Sequence, residues 1–273
     1  MMFIRLITIV LCSVLLWKHR EVDADAVYNA KYHQIGSFSI SHPSFVSFHN
    51  WESSSSSTSP SPSLNLFVTQ FTGNPFKSST ISRIDDMKTL YESPSDVQIH
   101  PLNGISVKWP NVLTDVPSPS PSPSPHLLLG DGFLVPLKNT GGMYLLRPGQ
   151  GQDEVISRQL SPKRSGHFYH KGIWKDMNGD GLLDVITARA HQKSFFSKQF
   201  IGELVWFEND GNSLDDASTW TEHIVCQGIA IAIPISVPLD SHACRQSISG
   251  PDVLIEVVEL DGNKDTIEVY RMA

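Results

Sequence analysis

Asp176-Met177-Asn178-Gly179-Asp180-Gly181-Leu182-Leu183-Asp184 is the stretch from which the fold is read. Side-chain oxygens stand at its first, third, fifth and ninth positions, on Asp176, Asn178, Asp180 and Asp184, and at the seventh Leu182 offers its backbone carbonyl. Ca²⁺ is a hard cation that takes six to eight oxygen ligands, and a tight loop with acids on alternate residues supplies most of them. Gly179 and Gly181 permit the positive φ angles that such wrapping demands. Beyond the loop, Leu182 and Leu183 lead into Val185-Ile186-Thr187, a β-branched run that favours a strand. The competing reading is a solvated turn without metal, because Asp, Asn and Gly favour turns in any case.

A helix–loop–helix calcium site would place a bidentate Glu at the twelfth position and follow it with a helix. Here the twelfth position is Thr187 and the continuation is strand-like, so the loop is expected to turn between two strands. Further on come Gly202-Glu203-Leu204-Val205-Trp206-Phe207-Glu208-Asn209-Asp210 with Gly211 after it, and then Trp220-Thr221-Glu222-His223-Ile224-Val225. Acidic loop, strand, second strand ending in an Asn-Asp-Gly turn, and final strand around His-Ile follow one another in that order. In this order, over residues 167–225, the chain resembles the FG-GAP/VCBS repeats, the β-propeller blades of integrin α-subunits and many secreted proteins. The resemblance implies a Ca²⁺ loop held by Asp176, Asn178, Asp180, Leu182 and Asp184, and a secreted protein with a binding or adhesive role toward an extracellular protein or glycan.

Other segments repeat the pattern more loosely. Leu64–Phe71 and Thr80–Ile84 form one unit; Leu127–Val135, Gly142–Leu146 and Glu154–Leu160 form a second. Leu183–Arg189, Glu203–Glu208 and Thr221–Val225 form a third, and Asp252–Val258 with Asp265–Tyr270 a fourth. Comparable strands begin about 55–80 residues apart, wider than the 40–50 of common propeller repeats. Low-complexity Ser/Pro insertions at 53–63 and 117–125 account for much of the excess, since such tracts bury no core and stay extended and solvated. The expectation is an all-β chain of β-propeller-like repeats, an incomplete propeller of about four blades with open edges. Such edges invite association. A short helix is expected only near Asp85–Tyr91. In the fourth unit, Glu259-Leu260-Asp261-Gly262-Asn263-Lys264-Asp265 reads as a degenerate copy of the acidic loop, with Lys264 where Gly181 stands.

The first residues predict export. Arg5 precedes an apolar run from Leu6 to Trp17, and Ala24-Asp25-Ala26 is a small-residue cleavage site, so residues 1–26 read as a signal peptide and 27–273 as the mature region. The run is shorter than the roughly 20 residues that span a bilayer, so a membrane is met only through an uncleaved leader. The charged stretch Lys18-His19-Arg20-Glu21 is what keeps that alternative open. A net charge of −7 without Lys/Arg clusters argues against nucleic acid as a partner. With Cys12 in the leader, Cys226 and Cys244 remain. In an oxidising compartment they are expected to pair, against the alternative of two free thiols. No Asn-x-Ser/Thr acceptor occurs.

Catalytic signals are weak. His167 and His170, with His191 beyond the loop, lack the intervening Glu of a helical zinc motif. Positions i and i+3 of a strand face opposite sides, so these are read as rim histidines. No Gly-x-Ser-x-Gly elbow is present, and Gly130-Asp131-Gly132 is too short to cradle a phosphate. Trp174, Trp206 and Trp220 are expected in the core rather than as a sugar platform. The alternatives are an extracellular hydrolase or lyase on the same scaffold, with histidines and carboxylates converging at one end of it, and a non-functional truncated isoform.

Overall fold

The computed structural model describes residues 32–51, 64–71, 77, 79–117, 126–132, 140–192, 200–211, 220–230, 246–249, 253–258 and 266–272. They form an all-β structure of antiparallel sheets with a single short helix. The first sheet has the order β2 (Pro43–Asn50), β3 (Leu64–Gln70), β4 (Thr80–Ile84), β5 (His100–Pro101). The second contains β6 (Pro110–Asp115), β7 (Leu127–Asp131), β8 (Thr140–Pro148) and β9 (Val155–Gln159) in sequence. The third runs β11 (His167–Lys175), β12 (Asp184–Gln192), β13 (Phe200–Glu208), β14 (Thr221–Ala230). The second and third are linked through one parallel pairing, His167 with Thr140, and through the two-residue β10 (Arg164–Ser165) on β8.

The fourth sheet departs from the expectation of an unfinished unit. Its strands β15 (Gln246–Ser249), β16 (Val253–Val258) and β17 (Thr266–Met272) are joined by β1 (Tyr32–Ser39), which lies antiparallel on β17 from Tyr32 opposite Met272 to Ser39 opposite Thr266. A strand more than 200 positions away therefore covers the β17 edge. Sequence periodicity is local and carries no sign of that pairing.

Period-two alternation explains how the sheets stack. On β3, Leu66 and Val68 enter an apolar cluster with Phe38 of β1 and Ile267 of β17, whereas Phe67 between them enters a second cluster with Leu127 and Leu129 of β7. On β7 the next alternation repeats this: Leu128 turns the other way, into a third cluster with Tyr169, Val185, Val205 and Phe207. Strands buried on both faces lose polar alternation and read as apolar runs, which is why Leu127-Leu128-Leu129 is continuous. All three leucines are at most 1% exposed. Fourth, first, second and third sheets thus pack in series, each inner layer sharing side chains with two neighbours.

The backbones of β7 and β11 approach so closely that a Cβ on Gly130 would collide with the His170 carbonyl, and one on Gly172 would lie 2.5 Å from the Leu128 side chain. The expected helix is α1 (Met87–Glu92). Asp86 caps it, accepting from the Thr89 amide at 2.9 Å and the Thr89 hydroxyl at 2.6 Å, the short-range bonding that favours Asp at this position. Leu90 anchors it in the cluster between the fourth and first sheets.

Candidate metal centre

The acidic loop joins β11 to β12, the turn between two strands expected from its sequence. Gly179 and Gly181 adopt φ of 81° and 88°, and the backbone then folds its N–H groups onto the loop's own oxygens. Asp176 accepts from Gly179 at 2.7 Å and from Gly181 at 3.0 Å. Asn178 accepts from Asp180 at 3.1 Å, and Asp180 from Leu182 at 2.7 Å. Asp184 is fully buried and spans two turns: one oxygen accepts from Met177 at 2.8 Å and the other from Asn209 at 2.9 Å. Asn209 in turn donates to the Leu183 carbonyl at 3.2 Å. The Leu182 carbonyl belongs to the same turn, between Gly181 and Leu183.

These bonds decide the energetics of the loop. Repulsion between exposed carboxylates is worth about 1 kcal/mol per pair at 4 Å in water. Hydrogen bonds from N–H groups to charged acceptors contribute about 1.5–3 kcal/mol each. These bonds offset the repulsion and hold the oxygens within one turn. A carboxylate has about four lone-pair sites; on Asp176 and Asp184 the N–H bonds engage two of them and leave the others for a metal. Among the described residues no Lys, Arg or His forms an ion pair with Asp176, Asp180 or Asp184.

The Asn178 side chain donates from one amide nitrogen to Asp180 Oδ2 at 2.9 Å and to Glu208 Oε1 at 3.0 Å. It bridges two carboxylates from the place where a cation would sit. A half-turn of the amide would present oxygen to that point instead, at the loss of the bond its Oδ1 accepts from the Asp180 amide. Glu208 is a neighbour the sequence reading missed. It lies 30 positions away and is held from behind by His223 Nε2 at 2.7 Å, while Trp206 stacks on the His223 ring with centroids 4.2 Å apart. Hard oxygen donors, uncompensated charge and a wrapped backbone together fit Ca²⁺ better than a softer metal.

The far end of the same sheet holds a different cluster. Cross-strand register places Tyr169, Arg189, Glu203 and Gln227 in one row across β11–β14. Arg189 Nε donates to Glu203 at 2.6 Å, while its terminal nitrogens donate to both oxygens of Glu222 at 2.7 and 3.0 Å. Arg164 also reaches Glu222, at 2.7 Å, and Gln227 donates to Glu203 at 2.6 Å. Burial acts to raise the Glu222 carboxyl, but the Arg189 hydrogen bonds and charge, with those of Arg164, outweigh it and hold the group below the usual carboxylate range. Tyr169 is pushed up, chiefly by burial.

His167 lies opposite His191 in the β11–β12 register, and their rings stack with centroids 4.6 Å apart. Compared with family models, with curated proteins and with solved structures, the chain matches none. The functional reading rests on these two clusters.

Asp176, Asn178, Asp180, Leu182 and Asp184 share one turn as the motif implies. His167 and His170 do not come together, as expected of positions i and i+3 on a strand, and His167 lies opposite His191 instead. Asp131 is buried and accepts from the Lys108 and Trp109 amides, at 3.0 and 2.7 Å to one oxygen. It holds a neighbouring loop rather than a ligand. Trp220 and Trp174 pack together in the third apolar cluster with centroids 6.1 Å apart, whereas Trp206 sits on His223. Cys226 is exposed on β14. Cys244, the leader 1–26, the Ser/Pro insertions at 53–63 and 118–125, and the second acidic stretch 259–265 lie outside the described residues. No described helix is long and apolar enough to cross a membrane.

Proposed function

We propose that the four sheets are blades of a β-propeller of the FG-GAP/VCBS kind, and that the 176–184 loop binds one Ca²⁺ that ties β11, β12 and the β13–β14 turn. The protein is exported and works as a binding or adhesive module toward an extracellular protein or glycan. The observation that carries this reading is the pre-formed loop, in which Asp176, Asn178, Asp180 and Asp184 converge without a compensating basic side chain among the described residues. The serial stacking of four-stranded sheets and the close approach of β7 and β11 support the blade arrangement.

In this reading Asp176, Asn178, Asp180, the Leu182 carbonyl and Asp184 hold the ion, with Glu208 able to join them. The loop's hydrogen bonds keep the donors in place; the ion supplies charge neutralisation. Calorimetric titration of the chelator-treated protein with Ca²⁺ tests it. Wild type takes up one equivalent, Asp180→Ala takes up none, and N-terminal sequencing of the exported chain begins at Val27. Absence of calcium heat in the folded wild type rejects the metal assignment.

A second reading, an extracellular hydrolase or lyase, has one observation in its favour. His167, His191 and the buried Glu203 lie together at the end of the sheet opposite the loop, the convergence of histidines and a carboxylate that this reading calls for.

A further inference from the structure

Two chemically distinct ends of the third sheet raise the question of what the histidine end accepts. One ring nitrogen of His167, one of His191 and one carboxylate oxygen of Glu203 all lie within 4.8 Å of one another. Bonds of about 2.0–2.2 Å in a tetrahedral site place ligand atoms about 3.3–3.6 Å apart, so small side-chain rotations close the set. The rings stack at an interplanar angle of 29°. His191, whose Nδ1 has no hydrogen-bond partner among the described residues, is free to turn about χ2, a broad torsion for histidine, while His167 stays held by the Ser165 carbonyl.

The supporting shell is already in place. His167 Nδ1 hydrogen-bonds the Ser165 carbonyl at 3.0 Å. That bond places the proton on Nδ1 and leaves the Nε2 lone pair for a metal, the outer-sphere arrangement usual for ligating histidines. Both Glu203 oxygens are oriented by donors, Oε2 by Arg189 and Oε1 by Gln227, and each keeps a second lone pair. Should Glu203 turn toward a cation, Arg189 retains its two bonds to Glu222. His191 Nδ1 is buried and has no hydrogen-bond partner among the described residues. Buried polar atoms are rarely left in that state, and an arriving ion, with the ring turned to meet it, ends it.

We infer that His167, His191 and Glu203 form a second metal site, specific for a borderline transition metal such as Zn²⁺ and chemically distinct from the calcium loop. Two imidazoles and one carboxylate match the donor set of open zinc sites, which keep a fourth position for water or a ligand oxygen. The inference does not depend on the loop binding calcium. The sites stand at opposite ends of β11, roughly 25 Å apart at about 3.3 Å per residue.

The test is equilibrium dialysis of the chelator-treated protein, thiols blocked, against ZnCl₂ at neutral pH, followed by metal analysis. Wild type is expected to bind one Zn²⁺ per chain, not displaced by millimolar Ca²⁺. H167Q and H191Q are each expected to weaken binding at least about tenfold, the lower bound for even outer-sphere losses, while H170Q and D180A keep it. Absence of zinc binding by wild type overturns the site. Undiminished binding by H167Q and H191Q also overturns it and assigns the metal to adventitious surface histidines. If either variant fails to fold, histidine-ring NMR of the wild type decides: one equivalent of Zn²⁺ must shift the His167 and His191 resonances first, and a shift confined to other histidines contradicts the inference.

Discussion

The two ends of the third sheet solve the problem of buried acid in opposite ways. At the loop end, Asp184 is fully buried and satisfied by two backbone N–H groups, with no basic side chain in contact among the described residues. At the histidine end, Glu203 is also buried, and it is satisfied by side chains, chiefly Arg189. Backbone donors come from a turn that the chain builds locally, so the loop end can be read from nine consecutive residues. Side-chain donors come from three separate strands, so the histidine end exists only once the register is set. The loop leaves net negative charge facing solvent. The network cancels its charges internally: Arg164 and Arg189 against Glu203 and Glu222.

The comparison breaks most visibly at Arg189. Arg189→Leu removes the one cation shared by two buried carboxylates, and removing one partner of a buried ion pair costs about 3–5 kcal/mol. Denaturant unfolding is expected to show that loss, and a cost below about 1 kcal/mol would mean that water, not Arg189, satisfies Glu203. The corresponding lesion at the loop is Asp184→Ala. It orphans the Met177 and Asn209 amides at about 1–3 kcal/mol each, for an expected total of about 2–6 kcal/mol. The loss should appear even in chelator, because the bonds form without an ion. If Asp184→Ala is neutral in chelator, the loop is not pre-formed.

Acid further separates the loop from the Arg189 network, whose Glu222 stands opposite Phe207. The Glu222 carboxyl is held below its ordinary value in the fold, with Arg189 and Arg164 overcoming the effect of burial. A depressed acid contributes stability that is fully present above its unfolded pKa, near 4.5, and lost as pH falls through the folded value. One proton of difference gives a slope of at most about 1.4 kcal/mol per pH unit. Glu222→Gln is expected to start less stable at neutral pH and to show a flatter acid limb in pH-dependent unfolding. An unchanged limb would show that Glu222 is not the titrating member.

Much of this was accessible from the residues themselves. Strands β3, β7, β12 and β13 fall within apolar or alternating runs, the acidic loop within a motif, and α1 within one residue or two of its expected span. What the residues did not reveal is non-local. Strand β1 completes the fourth sheet from the far end of the chain. Strands β2 and β6 carry Pro, Ser and Asn beside their few buried apolar residues, Val46 and Leu113 among them, and their alternation is too weak to stand out. Glu208 joins the loop only because β13 pairs with β12. His191 could be seen as a lone histidine, but its partner is chosen by register, which sets it opposite His167, whereas alternation along β11 turns His170 to the other face.

The smallest expected effect bears most directly on the central claim. Extracellular calcium modules bind in the ~10⁻⁴–10⁻³ M range, so millimolar Ca²⁺ is worth about 1–2 kcal/mol of stability by the linkage of ligand binding to folding. Differential scanning calorimetry of the wild-type chain, in chelator and in millimolar Ca²⁺, measures it. The account predicts a rise in melting temperature of a few degrees that Asp180→Ala abolishes, that His167→Gln leaves intact and that Mg²⁺ does not reproduce. A wild-type melting temperature that is the same with and without calcium would contradict it and make residues 176–184 a turn held by its own hydrogen bonds.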